Sequence, residues 1–234
     1  MRPILLIAGN YMREQRWTIL LLLLWVGVSS IALGIGNSSF DDSLFFLRQQ
    51  AVYGVAFGGF LASSALSHER RSRRILSVLS KGVERWQYLM GLLLGIAAIE
   101  LVYALAMTVG GEWTLRQSGE GRILLGWLIP ALFVAALSVM AAVLFFATFL
   151  SPLLALAAAA LANAIPAAVA AAFGKPALSA APAYRLLVFV LSAEPTSANH
   201  LDGWLFVFPL LEAAAFLLAA TLIFSRRDIA AAIE

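Results

Sequence analysis

Long stretches without a charged residue alternate with short charged segments along this chain. Trp17 to Phe40 carries no Asp, Glu, Lys or Arg, and Gln49 to Ser67 is a second charge-free stretch. An α-helix needs about 20 mostly apolar residues to cross the roughly 30 Å hydrocarbon core of a bilayer. The pattern therefore predicts a first membrane span at Ile19–Ile35 and a second within Gln49–Ser67.

The rest of the chain shows the same alternation of apolar stretches and charged segments. Trp86–Val109 predicts a third span, and Trp204–Phe224 predicts a sixth, each interrupted by one acidic residue. Ile123 to Gly174 has no charge and is too long for one helix. It predicts spans four and five with a turn at Ser151-Pro152, because Pro cannot continue a helix but can begin one. The fold class is an all-α integral membrane protein with six transmembrane helices.

Composition agrees with a membrane protein and narrows the chemistry. Of the 234 residues, 62% are apolar and 12% are charged, against about 45–50% and about 25% in soluble domains. These values exclude a soluble enzyme and a disordered chain. With no Cys there is no disulfide and no thiolate metal site. No phosphate-binding G-x-x-x-x-G-K-[ST] motif occurs, and we expect no catalytic residue, no metal site and no cofactor bound by this chain.

The placement of Lys and Arg predicts the orientation. With the N-terminus in the cytoplasm, 11 of the 16 basic residues fall in inside segments and 5 in outside segments. Cytoplasmic loops are enriched in Lys and Arg, so both termini are expected inside. The basic pI of about 9.6 then reflects orientation, and nucleic acid is not expected as a partner. Membrane lipids are expected as partners.

Residues 1–16 have the pattern of an amphipathic helix at the membrane interface. Such a helix lies in the plane of the headgroups with its apolar stripe turned towards the acyl chains. The alternative is an unpatterned start to span one. The stripe consists of Ile4, Leu5, Ala8, Tyr11 and Met12.

The loop at residues 68–85 is the most informative segment outside the predicted spans. It is strongly basic at its start, then apolar, and Gly82 after Lys81 is typical of a helix end. A short helix with an apolar face outside the membrane needs something to bury that face. One interpretation is a basic loop that fixes topology and touches anionic headgroups. The other is a docking helix for a cytoplasmic partner.

The end of this loop resembles the membrane subunits of type-2 ABC exporters. That family carries an acidic residue after span two, and then a Leu-Ser-x-Pro-x-Ser-Arg-x-x-Tyr-x-x-Gly-Lys-like run into span three. Glu69 matches the acidic position, and the ending Phe224-Ser225-Arg226-Arg227-Asp228-Ile229 is similar to the family's segment after span six. The matches within the run are Leu79, Ser80, Arg85, Tyr88 and Gly91.

The sequence departs from the family run at four places. Gly82 stands where Pro is common, Glu84 where Ser or Thr is common, and Leu92 where Lys is usual. Arg73-Arg74 stands where Gly-Thr is frequent. The resemblance therefore depends on the whole arrangement, which covers residues 1–234 as a single permease domain.

The resemblance implies that the loop is a coupling helix seated in a groove of an ABC ATPase subunit, which would bind ATP and Mg²⁺. It also implies a second permease copy or a related permease, export as the direction of transport, and a bacterial-type inner (plasma) membrane. Apolar residues would fill the groove and the Arg cluster would meet an acidic rim. The implied contact residues are Glu69, Arg70, Arg71, Arg73, Arg74, Ile75, Leu76, Leu79 and Arg85.

Two carboxylates and one amide lie inside predicted spans. Glu100 is near the middle of span three, Glu212 is near the middle of span six, and Asn163 lies in span five. A charge at the bilayer centre costs at least about 2.5–3.5 kcal/mol, so ionisable residues there tend to be functional. They are candidates for a substrate pathway or a proton-linked site. The alternative is a neutral acid hydrogen-bonded to a neighbouring helix, for example near Asn163.

Two pairs of glycines predict close helix packing, and one external segment is long for a connector. Gly54 and Gly58 in span two, and Gly91 and Gly95 in span three, form small-xxx-small faces. Residues 175–203 form the external segment, whose apolar part at Tyr184–Leu191 is too short to span and is a candidate re-entrant helix.

Two other functions remain open from the residues. An ion- or proton-coupled secondary transporter would use Glu100 and Glu212 as coupling groups. A non-transporting membrane scaffold would use the basic loop to recruit a soluble partner.

Overall fold

The structure, a computed structural model, describes residues 2–35, 39–71, 82–115, 119–173, 186–190 and 203–226. Its elements in these ranges are α-helices, and no strand occurs in them. The main helices are α1 (Arg2–Glu14), α2 (Arg16–Ile35), α3 (Phe40–Arg71), α4 (Arg85–Thr114), α5 (Gly119–Ala147), α6 (Pro152–Phe173) and α7 (Trp204–Arg226).

Four of these helices are long and apolar enough to cross a membrane, which makes the chain a multi-pass membrane protein. They correspond to predicted spans one, three, four and six, and they comprise Arg16–Ile35, Arg85–Thr114, Gly121–Ala147 and Trp204–Phe224. Predicted spans two and five fall on α3 and α6, which are helical but are not among the four. The count of six spans and the side on which the termini lie stay predictions.

Helix α3 begins about nine residues before the second charge-free stretch, because Ser39 caps it. The Asp42 backbone N–H donates to Ser39 Oγ over 3.2 Å, and the Ser39 N–H donates to Asp42 Oδ2 over 3.1 Å. This is the reciprocal capping arrangement of a Ser-x-x-acid sequence. The side-chain and backbone hydrogen bonds from Ser39 hold the pKa of the exposed Asp42 carboxyl below its usual range. The Asp-containing first turn also lowers the hydropathy of α3.

Helix α5 lies at the centre of the bundle and packs against α3, α4, α6 and α7. It is apolar around its whole circumference, as expected for a helix with neighbours on all sides. Small residues such as Ala131, Ala135 and Ala142 are fully or almost fully buried on it and allow the close approach that drives helix association in lipid. Helix α5 ends at Ala147, and α6 begins at Pro152, so the break falls where the sequence predicted the turn.

Helix α1 is present where the sequence predicted it, and its stripe is used by another helix. An added Cβ at Gly91 of α4 would lie 2.8 Å from Ile7, and one at Gly95 would lie 3.1 Å from the Ala8 carbonyl oxygen. Tyr11 is buried, and its hydroxyl donates to the Leu61 carbonyl oxygen of α3 over 3.4 Å. The glycine pair of predicted span three therefore seats α1. Leu5, which the stripe includes, is exposed.

Part of the external segment is described. Residues 186–190 are helical, and Leu186 and Val190 are fully buried. This short stretch lies within the candidate re-entrant helix, and its apolar side chains pack into the core of the bundle. Residues 174–185 and 191–202 lie outside the described residues.

Candidate functional site

The carboxyl group of Glu100 is enclosed at the middle of the bundle. Glu100 is fifteen residues into the thirty-residue helix α4, and its side chain is 1% exposed. Both carboxyl oxygens are buried, and neither has a hydrogen-bond partner among the described residues. Buried polar groups are nearly always hydrogen-bonded in proteins, so this carboxyl is exceptional.

Two glycines of α3 make the space for this carboxyl. A Cβ added at Gly54 would lie 3.0 Å from Glu100 Oε1, and a Cβ added at Gly58 would lie 3.3 Å from Glu100 Oε2. The two carboxyl oxygens therefore face two successive turns of α3. Met140 of α5 reaches the same place, since its sulfur would lie 3.2 Å from the same Gly58 Cβ. We call Glu100, Gly54, Gly58 and Met140 the carboxyl seat.

A hydrogen-bonded row of polar side chains continues from the carboxyl seat towards α2. The Tyr103 hydroxyl, one turn along α4 from Glu100, lies 2.6 Å from the Gln50 carbonyl oxygen and 2.8 Å from Gln50 Oε1. The Gln50 side-chain amide donates to Ser29 Oγ of α2 over 3.3 Å. Tyr103 and Gln50 are almost completely buried. The row ties α2, α3 and α4 together just beyond the carboxyl.

No basic side chain neutralises Glu100 in the described part of the chain. Arg48 of α3 is the basic residue nearest in sequence to the seat, and its Nε is itself buried without a hydrogen-bond partner. Arg48 is six residues from Gly54, which is about 9 Å along a helix axis. No ion pair joins Arg48 to Glu100 within the described ranges.

The other two pathway candidates are not joined to Glu100. Glu212 lies on α7 with an intermediate exposure, and no hydrogen bond or ion pair links it to another described residue. Asn163 on α6 donates its side-chain N–H to the Ala159 carbonyl oxygen of its own helix over 2.8 Å. Neither Asn163 nor another residue in the described ranges donates a hydrogen bond to the Glu100 carboxyl.

Most of the predicted ATPase-contact residues lie outside what the structure describes. Arg73, Arg74, Ile75, Leu76 and Leu79 fall within residues 72–81, which are not described. The backbones of Glu69, Arg70 and Arg71 form the end of α3.

The described part of the chain resumes at Gly82, which has a positive φ of 79°. Gly adopts this left-handed conformation without steric cost. At Glu84 the backbone N–H donates to Gln87 Oε1 over 3.3 Å, which caps the start of α4.

Arg85 joins the exit of the loop to the end of the last helix. Its Nη1 donates to the Phe224 carbonyl oxygen of α7 over 2.5 Å, and its guanidinium lies 5.9 Å from the centre of the Phe224 ring. Phe224 is buried. This hydrogen bond satisfies a carbonyl near the C-terminus of α7, where backbone carbonyls have no helical partner and a positive charge is favourable. The first turn of α4 is thus fixed to α7.

An apolar groove lies between α2 and α4. Its volume is about 750 Å³, and its walls include Leu23, Val26, Ile31, Val109 and Trp113. Almost the whole lining is apolar, which suits an acyl chain better than a polar solute. Glu112 also lines the groove, and it forms an ion pair with Arg122, with 3.5 Å between Oε2 and Nε.

Of the residues around Glu100, the sequence identifies Gly54 and Gly58 as a packing pair, but it does not identify Tyr103, Gln50, Ser29 or Met140. Tyr103 could have been found, since it is three residues from Glu100 and therefore on the same side of the helix. Gln50 and Ser29 are polar residues inside predicted spans, which is a weaker signal. The sequence does not distinguish Met140 from other residues of its span, because it is one apolar residue among many.

Comparison with protein-family models finds no match, and comparison with curated proteins finds none either. Among the described residues, no group of three or more His, Asp or Glu side chains lies close enough together to hold a metal ion.

Proposed function

We propose that this chain is the permease subunit of an ABC transporter, acting as an exporter. Six spans with both termini in the cytoplasm would form one half of a substrate pathway, and a second permease would form the other half. A separate ATPase subunit would bind ATP and Mg²⁺. The chain would perform no bond chemistry itself.

The observation that carries the proposal is the connection of the loop's exit to two other helices. Arg85 and Gly91 belong to the run that resembles the family's segment after its coupling helix. Arg85 is bonded to the end of α7, and Gly91 contacts α1. A push on the loop would therefore reach α4, α7 and α1 together. This arrangement is what a subunit that converts movement of a cytoplasmic partner into movement of its spans requires.

The chemistry of the loop fits a protein partner. Ile75, Leu76 and Leu79 would enter an apolar groove of the ATPase, where burial of each side chain contributes about 1.5–3 kcal/mol. The basic residues around Arg73 would face an acidic rim. Rim charges mostly set the orientation and the rate of association, whereas the buried apolar residues set the lifetime of the complex.

Co-purification tests the proposal. The protein is extracted from its native host in mild detergent, and the proteins recovered with it are identified by mass spectrometry. The same is done with the double variant Leu76→Asp/Leu79→Asp. We expect an ABC ATPase with the unchanged protein and its loss with the double variant, because two charges on the apolar face prevent burial of that face.

The control adds a charge to a polar position of the loop, as Ser77→Asp, and is compared with the single variant Leu76→Asp. We expect this control to retain the ATPase. Absence of any ATP-binding protein with the folded, unchanged chain would overturn the assignment. The secondary transporter and the scaffold would then be the remaining functions.

A further inference from the structure

The carboxyl seat raises the question of what balances the buried acid. Both oxygens of Glu100 lack a hydrogen-bond donor in the described ranges, and no ion pair reaches them there. The Tyr103 hydroxyl, one turn along α4, is engaged with Gln50. An unpaired carboxylate in an apolar interior is strongly unfavourable, and more so at the centre of a membrane. Something must remove the charge.

The geometry of the seat excludes most ligands by size and by ligand number. A Ca²⁺ or Mg²⁺ ion needs about six oxygen ligands, and the described residues gather no group of three acidic or histidine side chains. A bound water needs two to four polar partners, and it would leave the charge of the carboxylate in place. An organic cation needs a cavity, but the side chain is 1% exposed and is in contact range of both glycines. A proton needs no additional space and removes the charge.

We propose that Glu100 is a proton-binding site that controls the packing of α3 against α4. With the proton bound, the neutral acid fits between Gly54 and Gly58, and the two helices are in close contact. When α3 separates from α4, water enters, the O–H bond breaks, and the proton passes to that water. The carboxylate is then hydrated, and the seat reforms only after the carboxyl has taken a proton back.

Glu100 is the carboxyl group of the seat, and the titratable groups around it are tyrosines. Helix α7 also packs against α4, and its own carboxyl, Glu212, has no hydrogen bond or ion pair with another described residue. On its own helix the titratable neighbour is Tyr103, and Tyr53 of α3 lies close to Tyr103. Helix α3 otherwise presents Gly54 and Gly58, and α5 presents Met140. Helix α1 presents Tyr11 at Gly95, further towards the start of α4. Tyrosines are neutral across the physiological range. The proposal does not depend on whether an ATPase drives the protein.

Spin-label distances test the coupling between the proton and the helix contact. The chain has no Cys, so a spin label attaches only at an introduced Cys. Val52→Cys on α3 and Leu101→Cys on α4 are both at exposed positions near the seat. The labelled chain is placed in lipid nanodiscs, and the separation of the labels is measured at acidic and at alkaline pH. We expect a shift to a longer separation at alkaline pH.

Two variants on the labelled background decide whether Glu100 causes this shift. Glu100→Gln has the shape of the neutral acid but cannot release a proton, so we expect its separation to stay at the acidic value at every pH. The matched control Glu112→Gln changes an exposed carboxyl of the same helix, and we expect it to shift like the unchanged protein. A shift that persists in Glu100→Gln, or no shift in the unchanged protein, would overturn the proposal.

Infrared difference spectroscopy on the unchanged protein gives a readout that does not depend on a variant. Between acidic and alkaline pH, we expect loss of the carbonyl-stretch band of a protonated carboxylic acid buried from solvent. The band is expected to be missing in Glu100→Gln. If no such band is lost, Glu100 does not exchange a proton, and the proposal fails even if the ATPase is found.

Discussion

At the scale of single residues, the position of Glu100 depends on what its neighbours lack. Gly54 and Gly58 have no side chains, and the carboxyl oxygens occupy the space where those side chains would lie. The same pair therefore serves both helix packing and accommodation of the acid. A substitution that adds one methyl group at Gly54 is a sharp probe of this arrangement.

We predict that Gly54→Ala destabilises the protein by about 1–3 kcal/mol, the usual cost of adding atoms to a packed core. The added Cβ would lie 2.7 Å from a ring carbon of Tyr103, and the ring is held by the bond to Gln50. The measurement is thermal unfolding in detergent.

Gly126→Ala on α5 is the matched control for Gly54→Ala. It has nothing within 4 Å of the added Cβ, so it should be neutral or stabilising by about 0.5–1 kcal/mol through helix propensity. Equal stability of the two variants would contradict the packing described for the seat.

The sequence identifies Glu100 and the glycine pair Gly54 and Gly58 separately, but it does not show that they meet, for a physical reason. A charged residue in an apolar run is visible because its cost in lipid is high. Its contacts come from residues about 40 positions away in both directions, such as Gly58 and Met140, and only the packing of three helices brings them together. Asn163 stays a candidate from the sequence, and its amide bonds within its own helix, a common choice for a short polar side chain.

At the scale of secondary-structure elements, α1 shows why an amphipathic pattern predicts a helix better than it predicts that helix's neighbour. An apolar stripe can be covered by lipid or by another helix, and both give the same periodicity. The structure covers Ala8 and Tyr11 with α4 and leaves Leu5 and Leu6 exposed. The sequence predicts a packing face at Gly91 and Gly95, but nothing in it identifies α1 as the helix that packs there.

We predict that Gly91→Val releases α1 from α4. Its Cβ would lie 2.8 Å from Ile7 Cβ and 3.0 Å from the Ile4 carbonyl oxygen, and backbone atoms cannot move aside as a flexible side chain can. Amide hydrogen exchange in α1 should become several times faster, while α5 stays protected.

The control for α1 is Gly9→Ala, where an added Cβ meets nothing within 4 Å. In this control, amide hydrogen exchange in α1 should be unchanged or slower. Unchanged exchange in Gly91→Val would mean that Gly91 does not hold α1 in place.

We predict that Arg85→Ala loosens the end of α7. The variant loses the hydrogen bond to the Phe224 carbonyl and the contact with its ring, together worth about 1 kcal/mol for a partly buried group. Amide exchange near Phe224 should become about fivefold faster, since this energy corresponds to a factor of about 5.

The comparison for Arg85→Ala is Arg122→Ala, an exposed arginine at the start of α5 that pairs with Glu112. Exposed ion pairs contribute little, so exchange near Phe224 should not change. If Arg85→Ala also leaves exchange near Phe224 unchanged, the loop's exit is not fixed to the last helix.

At the scale of the whole molecule, the apolar runs predicted an all-helical multi-pass protein, and the structure agrees. The runs are reliable because every backbone group in lipid must be hydrogen-bonded within its own segment, which favours long helices. The limits of α3 were harder to predict, because its first turn is polar and its start is set by the Ser39 cap. The Ser-x-x-Asp spacing at Ser39 was the available signal.

We predict that positions 80 and 118 lie on opposite sides of the membrane. In the Cys-free chain, Ser118→Cys should react with a membrane-impermeant maleimide on intact cells, and Ser80→Cys should react only after the membrane is opened. This follows from the concentration of Lys and Arg in the segments that contain position 80. Labelling of both positions from outside would contradict the predicted topology.

The central claim is that the loop at residues 68–85 binds an ATPase, and photo-crosslinking in living cells tests it most directly. A photo-reactive amino acid is placed at position 76 or 79, where the sequence predicts an apolar face. Position 77 tests the polar face, and position 118 tests the opposite side of the membrane. The account predicts an adduct with an ABC ATPase subunit from positions 76 and 79, a weaker one from 77, and none from 118. Adducts of 76 and 79 with lipid alone, or with a protein that binds no ATP, would contradict it.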